Sequence, residues 1–255
     1  MRRLADFAAP WALIALLLAV WEGACRAFDV PVYFLAPPSA IAASLRDEWP
    51  SLLQAAWYTL SNALIALVLA SLIAQALALT VTLSRLLERA VQPITVVLQV
   101  TPVIAIAPLV NIWAGTDHPE HALIALATIV AFFPIYSGAV TGLRSADPDL
   151  MRLFDLYGAT RLQRLLRLRL PSAAPFLLEG HKVAAGLAIV GTVVSEFVAG
   201  SGKVQGLAWR ILDASFRLQT AKMFAALFVL GVMGVVLYGL LELVERAALR
   251  WWRGR

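Results

Sequence analysis

Residues 150–171, LMRLFDLYGATRLQRLLRLRLP, decide how the chain folds. The stretch carries five arginines and no long apolar run, yet strongly apolar segments lie on both sides of it. So polar a segment must face water, and its arginines favour the cytoplasmic side of a membrane. Its leucines recur at roughly helical spacing, Gly158 permits a turn between two short helices, and Pro171 is expected to end the second. These features predict a helical elbow at a membrane surface, open to a soluble partner.

The composition places the chain among membrane proteins. Of its 255 residues, 61% are hydrophobic and 15% are charged, whereas a soluble domain carries about 25% charged residues. The formal net charge of +5 would suit nucleic acid, but the basic residues lie between apolar segments, as membrane topology produces. We therefore expect membrane lipid around the chain and no nucleic-acid partner.

Cysteine and histidine give no indication of a metal centre. The single cysteine, Cys25, excludes an internal disulfide and a cysteine-based cluster within one chain. The three histidines are few and scattered, and for His118 and His121, which are three residues apart, a solvated loop is a better interpretation than a ligand pair. The expectation is that this chain binds no metal and no cofactor.

Six apolar segments predict membrane spans at 8–27, 59–83, 94–113, 121–141, 173–199 and 223–244. Each is about 20 residues long, which at about 1.5 Å per residue crosses a hydrocarbon core of about 30 Å. No A-x-A-like cleavage site follows the first segment, so a retained helix is predicted there rather than a signal peptide. The predicted fold is an all-α, polytopic membrane protein with one transmembrane domain over residues 1–255.

The segments between the spans predict smaller elements. Residues 39–48 predict a short amphipathic helix at the interface, with Ser39 as its N-cap. Residues 84–92 predict a charged turn, residues 142–171 a long basic loop that contains the elbow, and residues 200–220 a glycine-bearing loop.

The distribution of basic residues predicts the orientation. If the N-terminus is inside, the cytoplasmic segments hold fourteen arginines and the opposite side holds five basic residues. Lys182 and Lys222 are left out of these counts because they lie near span ends. The excess predicts that both termini and the 142–171 loop are cytoplasmic.

No motif for ATP hydrolysis is present. The nearest match to a phosphate-binding G-x-x-x-x-G-K-[ST] loop ends at Gly202-Lys203, but Phe197 stands in place of its first glycine and Val204 in place of its Ser/Thr. The sequence also lacks a nucleophile elbow and an HExxH motif. The chain is therefore predicted not to be an enzyme, and its energy would come from another chain or from a gradient.

Polar residues and prolines inside the spans suggest a pathway. Pro102, Pro108 and Pro134 interrupt backbone hydrogen bonds, and simple kinks are the plainer explanation; the alternative is irregular backbone along a polar cavity. The candidate pathway residues are Gln99, Thr101, Asn111, Thr192, Ser195 and Glu196. Glu179 and Lys182 are charged residues near the inner end of the fifth span, and their spacing predicts a local ion pair.

The elbow also resembles a family signature. Gly158, nine further residues and then Leu168-Arg169-Leu170-Pro171 are similar to the G-x9-I-x-L-P half of the EAA signature, which marks membrane subunits of ABC importers. The first half differs, because Arg152-Leu153-Phe154 stands where Glu-Ala-Ala would be. The segments that resemble the nitrate/sulfonate/taurine branch of these permeases are LAPPSAIAASL (35–45), QVTPVIAIAPLVNIW (99–113), FFPIYSGAVTGLRSADPDL (132–150) and GLAWRILDASFRLQTAKMFAAL (206–227).

The resemblance, over about residues 20–245, implies a type I importer (MetI-like) permease in a bacterial inner membrane. It implies a partner ATPase in the cytoplasm that uses ATP and Mg, a second permease copy, and an external binding protein that delivers the solute. The elbow would be the coupling helix that seats in the ATPase. The coupling residues implied are Arg152, Leu153, Phe154, Asp155, Gly158, Ala159, Thr160, Leu168, Leu170 and Pro171.

Two other classes of function stay open at the level of sequence. A gradient-driven carrier would need coupling-ion residues deep in the spans and usually an internal repeat. The chain has few charged residues deep in its spans and no convincing internal repeat. The other class is a membrane scaffold that transports nothing, and the only sequence feature against it is that the spans are interrupted and contain polar residues. The solute is expected to be small and polar or anionic, of the nitrate, sulfonate or taurine type or similar.

Overall fold

The computed structural model describes residues 2–114, 119–199 and 205–253, and the secondary structure in those ranges is helical throughout. The helices are α1 (Arg2–Ala27), α2 (Pro38–Asp47), α3 (Trp49–Leu83), α4 (Arg85–Val100), α5 (Val103–Ala114), α6 (Pro119–Arg144), α7 (Pro148–Leu156), α8 (Arg161–Arg164), α9 (Leu170–Ala199), α10 (Leu207–Phe216) and α11 (Thr220–Arg253). A π-helical turn, Leu165–Arg169, joins α8 to α9.

Five helical segments are long and apolar enough to cross a membrane. They are Ala9–Ala27, Trp49–Leu83, Glu120–Arg144, Arg161–Val198 and Thr220–Arg250, and Val103–Ala114 is a shorter apolar helix. The prediction of an all-α, polytopic membrane protein is confirmed. The segment around 115–118, which holds His118, and the Gly202-Lys203 motif lie outside the described residues.

The third predicted span, 94–113, is not one continuous helix. Helix α4 ends at Val100, and α5 begins at Val103 with the Ala105 N–H donating to the Pro102 carbonyl at 2.9 Å. Pro102 has no N–H to continue the ladder, so the helix stops there. Pro108 and Pro134 lie inside α5 and α6, which continue past them. The backbone is therefore interrupted at one of these three prolines.

Two predicted loops are helical instead. The expected charged turn at 84–92 is the beginning of α4: Ser84 separates α3 from α4, and its carbonyl accepts the first helical bond from the Glu88 N–H at 3.0 Å. The expected loop at 200–220 contains α10, in which Leu207, Ala208 and Ala214 are buried. Charge at 84–92 and glycine at 200–220 suggested irregular structure, but the apolar residues at helical spacing decided the outcome.

The expectation that Pro171 ends the second helix of the elbow is wrong. The Leu170 N–H donates to the Leu165 carbonyl, five residues back, and α9 then runs through Pro171 to Ala199. The π-helical turn shifts the hydrogen-bonding register just before the proline, and the first turn of a helix tolerates a residue without an N–H.

The chain forms two compact units, Met1–Tyr58 with Gln205–Val232 and Thr59–Val204 with Met233–Arg255. In the first unit, Ser39 is not the N-cap of α2; Pro37 holds that position. The Ser39 N–H and hydroxyl both donate to the Glu22 carboxylate, at 2.9 and 2.8 Å, so a side chain of α1 satisfies the start of α2. Ion pairing of Lys222 with Glu48 at 2.5 Å connects other parts of this unit.

In the second unit, α6 and α9 pack closely through small residues. A Cβ added at Gly138 would lie 2.7 Å from the Phe176 carbonyl oxygen, and one at Gly180 would lie 2.8 Å from the Pro134 carbonyl oxygen. Such close approach is the usual packing of membrane helices, where small side chains let backbones meet. Because α8 and the π-helical turn lead directly into α9, this packing also fixes the second arm of the elbow.

Candidate partner-binding elbow and polar groove

The first arm of the elbow is α7, and both of its ends are satisfied locally. The Asp147 side chain caps the N-terminus by accepting from the Asp149 N–H at 2.7 Å. At the other end, Gly158 has φ +64°, its N–H donates to the Asp155 carbonyl at 3.0 Å, and the Ala159 N–H donates to the Phe154 carbonyl at 2.9 Å. This pair of bonds is a Schellman motif, which requires the left-handed conformation that glycine adopts easily.

The second arm begins two residues later with a capping box. The Gln163 N–H donates to the Thr160 hydroxyl at 3.2 Å, and the Thr160 N–H donates to the Gln163 side-chain oxygen at 2.8 Å. Arg164 then holds the corner together, because its Nε donates to the Ala159 carbonyl at 3.1 Å while its guanidinium pairs with Asp155. The turn between the arms is therefore set by hydrogen bonds on both sides of Gly158.

The outer surface of the elbow is apolar and exposed. Leu156 is 85% exposed and Tyr157 is 83% exposed, and Leu153 and Leu162 are exposed beside them. A concavity of about 310 Å³ opens on this surface, lined by Leu153, Phe154, Tyr157, Ala159, Gln163 and Arg167. Exposed apolar residues on a structured, water-facing loop are typical of a protein-binding surface.

The predicted coupling residues divide into an outer and an inner set. Leu153, Phe154 and Ala159 line the concavity, and Gly158 and Thr160 build the turn beside it. Leu168 is 6% exposed, and Leu170 packs against a buried cluster of Ala78, Ala139, Leu143 and Ala173.

Tyr157 and Gln163 line the concavity but were not among the residues predicted from the sequence. Tyr157 directly precedes Gly158, and its place beside the predicted turn is the sequence feature that could have indicated it. The charged members Arg152 and Asp155 form ion pairs with Asp149 and Arg164 within the elbow.

A polar stripe runs along α4 and faces α6. Glu88, Gln92, Thr95 and Gln99 recur every three or four residues, and all four line a cavity of about 200 Å³ together with residues of α6. A second cavity of about 320 Å³ continues from it and shares Gln99, Phe133 and Ser137 with the first. We call these two cavities the α4–α6 groove. The other polar residues that line it are Thr101, Tyr136, Thr141 and Arg144.

The structure separates the six predicted pathway residues. Gln99 and Thr101 line the groove, whereas Asn111 is half-buried in α5 and lines neither cavity. Thr192, Ser195 and Glu196 are 0% exposed in α9. The Thr192 hydroxyl donates to the Ala188 carbonyl at 2.9 Å, and Glu196 accepts from the Thr59 hydroxyl at 2.7 Å, so these side chains join helix packing in this conformation.

Most of the groove was not predicted from the sequence. Gln92, Thr95, Ser137 and Thr141 line it, and the signal that could have found them is the polar periodicity that starts at Glu88. The stripe crosses the boundary between the expected turn at 84–92 and the expected span at 94–113, and both are parts of α4.

The predicted ion pair of Glu179 with Lys182 is confirmed, and it lies within α9. Lys182 lies 2.7 Å from Glu179 and 2.8 Å from Glu245 of α11, and it is 5.7 Å from the centre of the Tyr238 ring. One lysine thus holds two carboxylates within α9 and α11, which is a structural arrangement rather than an open site.

Comparison with known proteins gives consistent results. Residues 66–250 match the family described as "Binding-protein-dependent transport system inner membrane component". The formylaminopyrimidine transport permease protein ThiX of Halalkalibacterium halodurans is 30% identical over 98% of this chain and 98% of its own length. The taurine transport system permease protein TauC of Escherichia coli is 26% identical over 93% of this chain and 87% of its own length.

A solved structure shares the fold. The chain superposes on a chain of the MetNI methionine ABC transporter, solved in inward-facing conformations, with a TM-score of 0.67 and 18% sequence identity. The match covers 81% of this chain and 98% of the other.

Proposed function

Because the chain belongs to the family of binding-protein-dependent transport system inner membrane components, we propose that it forms the pathway by which an ABC importer moves a small polar or anionic organic solute. A separate ATPase on the cytoplasmic side would supply the energy, and an external binding protein would deliver the solute. The permease would lie in the inner membrane of a bacterium, with both termini and the elbow on the cytoplasmic side, as the excess of arginine indicates.

The observation that carries this proposal is the elbow. Its turn is fixed by the Schellman motif at Gly158 and the capping box at Thr160, yet the surface it supports is left exposed and apolar. A rigid turn that presents Leu153, Phe154 and Tyr157 to water suits a partner that fills the concavity between them. In an ABC importer that partner is the ATPase.

The coupling role is proposed for both sets of elbow residues. Leu153, Phe154 and Ala159 would contact the ATPase directly. Leu168 is buried, Leu170 is half-buried against the core of the second unit, and both would transmit movement of the elbow to α6 and α9. A second copy of this permease would complete the pathway, because each chain supplies one set of spans.

The solute is left open by the relatives. One is named for formylaminopyrimidine and the other for taurine, and these differ in charge and shape.

A gradient-driven carrier is the rival proposal. It would use ionisable residues along the pathway, but Lys182 is paired with Glu179 and Glu245, and Glu196 is hydrogen-bonded to Thr59 within the fold.

Purification of the tagged chain from its native membranes in mild detergent tests the proposal. We expect a stoichiometric soluble ATPase with measurable ATP turnover in the eluate, and we expect Tyr157→Ala to lose most of it. Phe216→Ala is the matched control, because Phe216 is also an exposed aromatic residue, at 77%, but lies at the end of α10. A well-folded preparation without any ATPase would contradict the proposal.

A further inference from the structure

We propose that the α4–α6 groove is the solute path on this chain and that it accepts an uncharged organic solute that carries hydrogen-bonding groups. The inference rests on the proposed function, because it assumes that the chain is the pathway subunit. It goes further by naming the surface that the solute follows and by choosing between an uncharged and an anionic solute.

The first argument is the charge balance of the groove. Among the described residues that line it, Glu88 and Arg144 are the charged ones, and they form an ion pair at 2.7 Å. An anion that entered the groove would lose water without finding an uncompensated positive charge. Desolvation of an ion without a counter-charge is costly in a low-dielectric setting, whereas an uncharged polar molecule pays much less.

The second argument is the set of unpaired hydrogen-bonding groups. In the part of the chain that the structure describes, no partner is found for the side chains of Gln92, Gln99, Ser137 and Thr141, although all four line the groove. A carboxamide both donates and accepts, and so does a hydroxyl. All four side chains are exposed on this chain, and a polar group that is removed from water without a hydrogen bond is costly, so water, a solute or a neighbouring chain must serve them. Water would serve them when the groove is empty, and a solute with both donors and acceptors could replace it.

The third argument is the aromatic wall opposite α4. Phe133 lines both cavities, and Tyr136 is stacked on Phe132 with ring centres 5.5 Å apart and planes 11° from parallel. These rings offer an apolar surface to the carbon skeleton of a solute. Apolar walls with a few placed polar groups are the usual composition of a small-molecule site.

The opposite face of α4 supports the assignment and supplies controls. Val97 and Val100 are exposed and apolar, and they line neither cavity. Helix α4 thus separates a polar face, directed to the groove, from a valine face. Water should reach the first face and be excluded from the second.

Thiol accessibility tests the proposal without knowledge of the solute. The chain has one cysteine, so Cys25→Ala provides a background for single cysteines. Gln92→Cys and Gln99→Cys report on the groove, and Val97→Cys is the matched control on the same helix. The complex, purified with its bound ATPase, is treated with two membrane-impermeant methanethiosulfonates, one anionic and one cationic. Each rate is divided by the rate of the same reagent with a free thiol.

We expect both groove cysteines to react and Val97→Cys to stay unmodified. The normalised rates of the two reagents should be similar, because Glu88 compensates Arg144. Glu88→Gln should then favour the anionic reagent by about tenfold or more, as an uncompensated charge in a cleft does. Unreactive groove cysteines would overturn the assignment of the path. A tenfold preference for the anionic reagent before Glu88 is changed would overturn the uncharged solute.

The same preparation separates this inference from the proposed function. The bound ATPase and its turnover are measured on each eluate before labelling. An active, stoichiometric ATPase with an unreactive groove would leave the importer standing and reject the path. If the groove cysteines react equally with both reagents in an eluate that contains no ATPase, the result would support the path and reject the importer.

Discussion

At the scale of single residues, Gly158 determines the shape of the elbow. Its φ of +64° allows the Schellman motif that ends α7, and an added Cβ would have no atom within 4 Å. Space is therefore available for a side chain, and only the backbone conformation selects glycine. For most other residues the left-handed conformation costs roughly 1–2 kcal/mol.

Two substitutions of Gly158 should therefore separate conformation from bulk. Gly158→Val should weaken ATPase binding, because a β-branched residue opposes the left-handed turn and opens the corner. Gly158→Asn is the matched control, since asparagine adopts this conformation more easily. The measurement is the amount of ATPase that co-purifies with each variant at equal permease yield. Equal retention by both variants would show that the turn does not shape the partner surface.

The residue scale also shows where sequence reasoning succeeds and fails. Gly158 was predicted to form the turn because glycine freedom is a local property. Pro171 was expected to end a helix and does not, because the π-helical turn before it depends on how α9 is anchored by Leu165 and Leu170 in the core. A local rule cannot include that anchoring.

At the scale of elements, the contact of α6 with α9 organises the second unit. The reciprocal approach of Gly138 to Phe176 and of Gly180 to Pro134 leaves no room for a side chain between the two backbones. Backbone atoms cannot rotate away as side chains can, so the helices would have to separate.

Two alanine substitutions in α9 test this packing. Gly180→Ala should lower the thermal stability of the permease in detergent, with a cost of about 1–3 kcal/mol expected for overpacking. Gly186→Ala lies in the same helix with no atom within 4 Å of its added Cβ, so it should leave the melting temperature unchanged or raise it. If the two variants melt alike, the close contact is not a source of stability.

The elements that were not predicted from the sequence were missed for a common physical reason. The predicted spans lie within long apolar helices, except for the third, which is divided at Pro102. The first half of α4 was assigned to a turn because of its charged residues, and α10 was assigned to a loop because of its charged residues and nearby glycines. Burial of Leu207, Ala208 and Ala214 in α10 is a tertiary effect that no local pattern contains.

At the scale of the whole molecule, the elbow and the α4–α6 groove belong to the same compact unit. The elbow leads directly into α9, α9 packs against α6, and α6 forms one wall of the groove. Packed helices therefore connect the elbow to the groove without a break. The family, the fold class and the elbow were predictable from sequence, whereas the groove depends on the pairing of α4 with α6.

Site-specific cross-linking of the elbow to its partner tests the central claim most directly. In the Cys25→Ala background, Tyr157→Cys and, as control, Phe216→Cys are each labelled with a thiol-directed photoreactive group in native membranes and then illuminated. The account predicts an adduct between this chain and a cytoplasmic ATPase from Tyr157→Cys and none from Phe216→Cys. An adduct from Phe216→Cys alone, or no adduct from the elbow while the ATPase stays bound, would contradict it.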